Sequence, residues 1–156
     1  MNIQAFNYSF TGFELAVYAE GDHVVRIHFG KAASGTALRE NEVIRAAHAQ
    51  ITQYAAGKLT AFTVPLKYNG TDFQMKVWRA LAQIPYGATT TYQAVAAQCG
   101  NPKAYRAAAN AIHNNPIAII IPCHRVIGSN GKLTGFAGGL DVKKLLLDIE
   151  AAPNIA

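Results

Sequence analysis

The residues best suited to chemistry stand at Cys123-His124-Arg125, behind Pro122 and the apolar run Ile117-Ala118-Ile119-Ile120-Ile121. The thiolate is the nucleophilic form of cysteine, and adjacent positive charge with a nearby base favours it. A lone buried cysteine is more often a small hydrophobe. Cys99, at an apolar helix position just before Gly100, fits that description. Cys123 differs, because a proline precedes it and a His-Arg pair follows. Sequence neighbours need not face one another, so His124 has to be oriented by a third group. Asp141, Asp148 and Glu150 are the downstream carboxylates that qualify, and spacing does not choose among them. The chemistry on offer is attack by sulfur, whether in group transfer or in a cysteine hydrolase.

These residues must be positioned by the elements around them. Apolar runs at 15–19 and 24–29, split by Glu20-Gly21-Asp22-His23, predict a β-hairpin. The stretch 36–59 has no internal proline and closes at Gly57. Val43, Ala46, Ala47, Ile51 and Tyr54 fall at helical spacing and Arg39, Glu40 and Arg45 are left for solvent, which predicts one long amphipathic helix. Residues 62–66 predict an edge strand, since Pro65 lacks a ladder donor. His23, His28 and His48 are scattered and read as ordinary surface or half-buried histidines. At Tyr68-Asn69-Gly70-Thr71 the pattern turns almost wholly helical, which sets a domain boundary between 1–70 and 71–156.

Beyond it, Phe73, Val77, Trp78 and Leu81 share one helical face, and Ile84-Pro85-Tyr86-Gly87 ends that helix. Thr90-Thr91-Tyr92-Gln93 reads as a Thr-x-x-Gln capping box opening a short helix that Gly100 closes. After Asn101-Pro102 a second helix runs from about Lys103 to His113 and stops at Asn114-Asn115-Pro116. Two short helices on a tight turn form a helix-turn-helix signature. In the second, Ala104, Ala107, Ala108 and Ala111 make a small-residue stripe, suited either to packing on the first helix or to pressing into a nucleic-acid groove. Arg106, Asn110 and His113 recur on another side. The β-branched run 117–121 predicts a buried strand leading into Cys123.

With 51% hydrophobic and 15% charged residues among 156, the chain can bury a core and is not disordered. Its 14 Lys+Arg against 9 Asp+Glu leave +5, compatible with a nucleic-acid partner without demanding one. Two cysteines make no disulfide framework, and without CxxC or a Cys/His cluster no metal is expected. No apolar run approaches the roughly 18 residues of a membrane span, and no signal-peptide pattern opens the chain, so a cytoplasmic protein is expected.

Taken in order, Phe73–Trp78, Ile84–Gly87, Thr89–Tyr92, Ala104–Ala111, Asn115-Pro116, Ile121-Pro122-Cys123-His124-Arg125-Val126, Gly135–Leu140, Lys143 and Leu146-Leu147-x-x-Glu150 resemble the signature of the O6-alkylguanine-DNA alkyltransferases. The resemblance covers about residues 71–150, and its Pro-Cys-His-Arg-Val core is specific. It implies an α+β protein: a small sheet-plus-helix domain of ribonuclease-H-like topology over 1–70, then a mostly helical, winged-helix-like DNA-binding domain over 71–156.

It further implies direct-reversal DNA repair. Cys123 takes the alkyl group from O6 of guanine, repair at O4 of thymine is left open, and each molecule acts once, without a cofactor. His124 takes the thiol proton, Glu150 orients His124, and Asn115 braces the turn before the active-site segment. Arg106 fills the place of the flipped nucleotide, a task suited to a planar guanidinium, and Tyr92 turns the 3′ phosphate and donates to guanine N3. Val126, Phe136, Ala137 and Lys143 form the guanine pocket. The partner implied is duplex DNA carrying O6-alkylguanine, met through the minor groove by a monomer. Phe136 and Ala137 stand where many members carry Tyr and Ser, and Tyr105 and Asn110 are larger than the residues usual on the groove-facing helix.

Overall fold

The computed structural model describes residues 2–152. Strands β1 (Ile3–Phe10), β2 (Phe13–Glu20) and β3 (His23–Phe29) form an antiparallel meander. The expected hairpin is β2–β3, turning at Gly21-Asp22. Strand β4 (Ala37–Leu38) adds to β1 in parallel, giving the order β3-β2-β1-β4. Strand β1 was not foreseen, because Ile3–Phe10 intersperses Gln4, Asn7 and Ser9 among its apolar residues.

Helix α1 (Glu42–Ala55) is shorter than the sequence predicts. Residues 36–41 do not join it. Ala37 and Leu38 pair with β1, Arg39 N–H donates to the Ala5 carbonyl, and Asn41 caps the helix by accepting from Ile44 N–H. Helical spacing was present upstream, but sheet pairing and the Asn41 cap win there. The edge strand expected at 62–66 reduces to one bridge, with Val24 N–H donating to Pro65 O and Lys67 N–H to Val24 O.

Helix α2 (Asp72–Ala82) opens on a true capping box. Thr71 accepts from Gln74 N–H while the Gln74 side chain accepts from Thr71 N–H. The box expected at Thr90–Gln93 is not formed. Thr90 and Thr91 make strand β5, and Thr91 alone caps α3 (Tyr92–Gln98) through Ala94 N–H. Past Gly100, whose φ of +100° suits only glycine, one 3-10 turn (Pro102–Ala104) leads into α4 (Tyr105–His113). In the alanine stripe, Ala108 and Ala111 are buried, Ala104 is half-buried and Ala107 is exposed, so the stripe mainly serves packing. Trp78 Nε1–H ties α2 to α4 at the Ala111 carbonyl, 2.8 Å away.

The run 117–121 is buried as expected, but it is not a strand. Ile27 N–H donates to Pro116 O, and Ala118 N–H donates to Ile27 O. The chain then turns back on itself with Ile119 at φ +70°. Cys123–Arg125 form a single 3-10 turn, β6 (Val126–Ile127) pairs in parallel with β5, and α5 (Leu140–Ala151) closes the described chain. One hydrophobic core runs through both halves, from Leu15 and Ile51 to Leu81, Ile112 and Leu146.

Candidate active site

Pro122 and the 3-10 turn it begins place Cys123 at the floor of a cavity. The walls include Tyr92, Asn115, Phe136 and Ala137 from the second half of the chain, together with Ile27, His28 and Phe29 of β3. Cys123 is 9% exposed and His124 is fully buried. Burial pushes the Cys123 thiol up, while the Asn115 side chain and the Lys143 charge pull it down without overcoming burial. The resting group is therefore a thiol rather than a thiolate.

His124 is tied to α5. Glu150 Oε2 lies 2.5 Å from His124 Nε2 and 2.5 Å from the Tyr54 hydroxyl. Arg125 grips the same carboxylate with Nε on Oε1 at 2.7 Å and a terminal nitrogen on Oε2 at 3.1 Å, and Gly87 N–H reaches Oε1 at 3.2 Å. Gly87 sits at φ +80°, a conformation that favours glycine. Burial pushes Glu150 up, but its hydrogen bonds from His124, Arg125 and Tyr54 outweigh it and hold the carboxyl at about 2. Burial pushes His124 below its ordinary 6.5 against the pull of Glu150. A neutral imidazole bonded to an acceptor-only carboxylate carries its proton on Nε2. The basic nitrogen is then Nδ1, which is buried and has no hydrogen-bond partner among the described residues.

Of the three candidate carboxylates, Glu150 alone meets His124. Asp141 is exposed in the first turn of α5, and Asp148 pairs with Lys144 on the surface at 2.8 Å. Asn115 braces the turn on both sides, donating from Nδ2 to Ile121 O at 2.7 Å and accepting from Ile117 N–H at 3.0 Å. Lys143 is buried, with Nζ donating to Thr134 O at 3.0 Å and lying 6.0 Å from the ring centres of both Tyr92 and Phe136. Burial lowers its pKa, with Cys123 opposing. The Thr134 hydroxyl donates to the Tyr92 oxygen at 2.9 Å. Val126 is fully buried in β6, Arg106 stands exposed on α4, and neither lines the cavity.

Sequence reasoning missed Tyr54 and the grip of Arg125 on Glu150. Tyr54 lay on the apolar face of a predicted helix, and a buried tyrosine hydroxyl seeks a polar partner. That demand was the available signal.

A shielded thiol beside a neutral imidazole on a fully donated carboxylate, in a half of the chain that carries two short helices on a tight turn, is an arrangement suited to sulfur nucleophilic chemistry. Residues 72–152 match the family profile described as 6-O-methylguanine DNA methyltransferase, DNA binding domain. A methylated-DNA--protein-cysteine methyltransferase of Methanosarcina barkeri is 54% identical over 113 residues, 72% of each chain. The inducible one of Bacillus subtilis is 54% identical over 101 residues, 65% of this chain and 56% of that one. The crystal structure of Mycobacterium tuberculosis OGT in complex with DNA superposes with a TM-score of 0.87 at 39% identity, covering 97% of this chain and 93% of that one. The chain belongs to the methylated-DNA--protein-cysteine methyltransferase family, and its α+β architecture is the fold those structures share.

Proposed function

We propose that this protein repairs O6-alkylguanine in duplex DNA by moving the alkyl group irreversibly onto Cys123. The observation that carries the reading is a thiol that lines a cavity and is followed in the chain by an imidazole hydrogen-bonded to Glu150, with the other nitrogen of that ring left unpartnered among the described residues. His124 Nδ1 takes the Cys123 proton through a bridging water. Sulfur then attacks the alkyl carbon in line with O6. The S–C bond forms, the C–O bond breaks with its electron pair going to guanine, and a proton returns at N1, so the products are S-alkylcysteine and guanine. A thioether has no good leaving group, and each molecule therefore acts once. O4-alkylthymine presents the same alkyl ether, and an intact-mass measurement on a duplex bearing it decides whether it is also a substrate.

The lesion has to leave the base stack, at a cost of a few kcal/mol, before sulfur reaches it. Arg106, exposed on α4, is the planar cation that takes the vacated place, and Tyr92, at the cavity wall, contacts the rotated nucleotide. Phe136 and Ala137 flank the base, the backbone N–H of Ala137 reaches O6, and the carbonyls of Cys123 and Val126 accept from the guanine amine. Lys143 supports this pocket from beneath. Docking through the minor groove suits a reader of any sequence. The protein acts as a monomer in the cytoplasm, where reducing conditions keep Cys99 and Cys123 as thiols. Its units are 1–70 and 71–156, and the order β3-β2-β1-β4 with α1 supports a ribonuclease-H-like reading of the first.

The test is the intact mass of the protein after mixing with duplex DNA bearing one O6-methylguanine, with peptide mapping. The expected result is one added methyl on Cys123 and restored guanine, lost in Cys123→Ala while DNA binding persists. Tighter binding to the lesion duplex without any adduct would make the protein a recognition module, and repeated turnover would make it a hydrolase.

A further inference from the structure

Part of the cavity wall, beside Phe136, belongs to the N-terminal sheet, at the end of β3. That wall is held from behind. Ile27 is bonded through its backbone to both Pro116 and Ala118. The His28 ring is fixed at both nitrogens. Nδ1 lies 3.0 Å from the Phe29 carbonyl, which only accepts, so Nδ1 donates and Nε2 accepts from the Tyr18 hydroxyl at 2.8 Å. That hydroxyl in turn accepts from Ala33 N–H at 2.8 Å. Phe29 meets Phe13 edge-on at 6.1 Å and Phe136 at 5.3 Å between ring centres. A Cβ built on Gly138 would lie 2.8 Å from the Phe29 ring, so the loop carrying Phe136 and Ala137 rests directly on it. A close-packed aromatic wall yields little to an intruding group.

We propose that Phe29 is a specificity-determining residue that limits the size of the alkyl group Cys123 accepts. The inference rests on the alkyl-transfer reading above. In an in-line displacement the reacting carbon lies between sulfur and O6, and a methyl group ends there. Anything longer extends into the space beside the thiol and meets the surfaces that share its cavity, of which Phe29 is a large and well-supported one. Discrimination of this kind works by exclusion of the larger substrate rather than by tighter binding of the smaller.

The experiment measures single-turnover transfer to the full chain from duplexes carrying O6-methylguanine or O6-benzylguanine, for the wild type, Phe29→Leu and Phe29→Trp. Phe29→Leu should raise the benzyl-to-methyl rate ratio on the order of tenfold, and Phe29→Trp should lower it by a similar factor. Thermal melting identifies a variant that fails to fold, in which case the other variant decides. An unchanged ratio, or an equal fall on both duplexes, would reduce Phe29 to a support for the Phe136–Gly138 loop and overturn the assignment. Failure of the wild type to take up methyl would sink the transfer reading itself and is told apart by that control.

Discussion

Glu150 governs the residue scale. Its two oxygens receive hydrogen bonds from Tyr54, His124, Arg125 and Gly87, so it stays ionised across the working range and fixes the His124 tautomer instead of taking a proton. Tyr54, delivered from α1, drains negative charge from the oxygen that His124 also contacts. Tyr54→Phe keeps the ring and removes that donor, leaving Glu150 a stronger partner for a protonated imidazole. His124 then holds a proton at higher pH. The expected outcome is that the acid limb of the transfer-rate profile moves to higher pH while affinity for DNA is unchanged. Single-turnover rates from pH 5 to 9 check this, and a merely structural tyrosine would lower the rate without moving the limb. Cys123, His124 and Glu150 were legible as types and order. The choice of Glu150 over Asp148 came from the resemblance rather than from spacing, and Tyr54 stayed hidden because it lies 96 positions from its partner.

At the scale of elements, local signals succeeded where the chain ends or turns and failed where tertiary contacts override them. The β2–β3 hairpin, α2 and the Gly100 stop follow from apolar runs split by a turn, helical spacing and glycine. The run 117–121 looked like a strand because four of its five residues are isoleucine, yet backbone bonds to Ile27 and the Asn115 brace fold it into a turn. Ile119 tolerates its left-handed φ because it is almost wholly buried, and burial of a large aliphatic side chain is worth about as much as the 1–3 kcal/mol that such a conformation costs. The two threonine caps differ likewise. Thr91 acts alone, whereas Thr71 is half of a reciprocal pair at the entry to α2. Thr71→Ala should cost about 1 kcal/mol and lower the melting temperature by roughly 2–4 °C, as thermal unfolding by circular dichroism would show.

At the scale of the molecule, a net charge of +5 favours encounter with a polyanion such as DNA, and Arg106 stands exposed on α4. The logarithm of the binding constant should fall linearly with the logarithm of salt concentration, because each neutralised phosphate releases counterions. Arg106→Ala should slow repair in a duplex much more than reaction with free O6-benzylguanine, since only the duplex requires a nucleotide to be turned out; stopped-flow rates on both substrates decide, and equal losses would remove the flipping role. Composition made the charge visible in the sequence, but not the way the first half reaches the site. Ile27 bonds the turn that carries the chain toward Cys123, and Tyr54 bonds the carboxylate that orients its base. Those two attachments restrict exchange by recombination: a foreign sheet and helix grafted onto the second half would inherit the architecture but shift the pH profile and loosen the cavity unless it also brought a tyrosine and an open strand edge to the same two places.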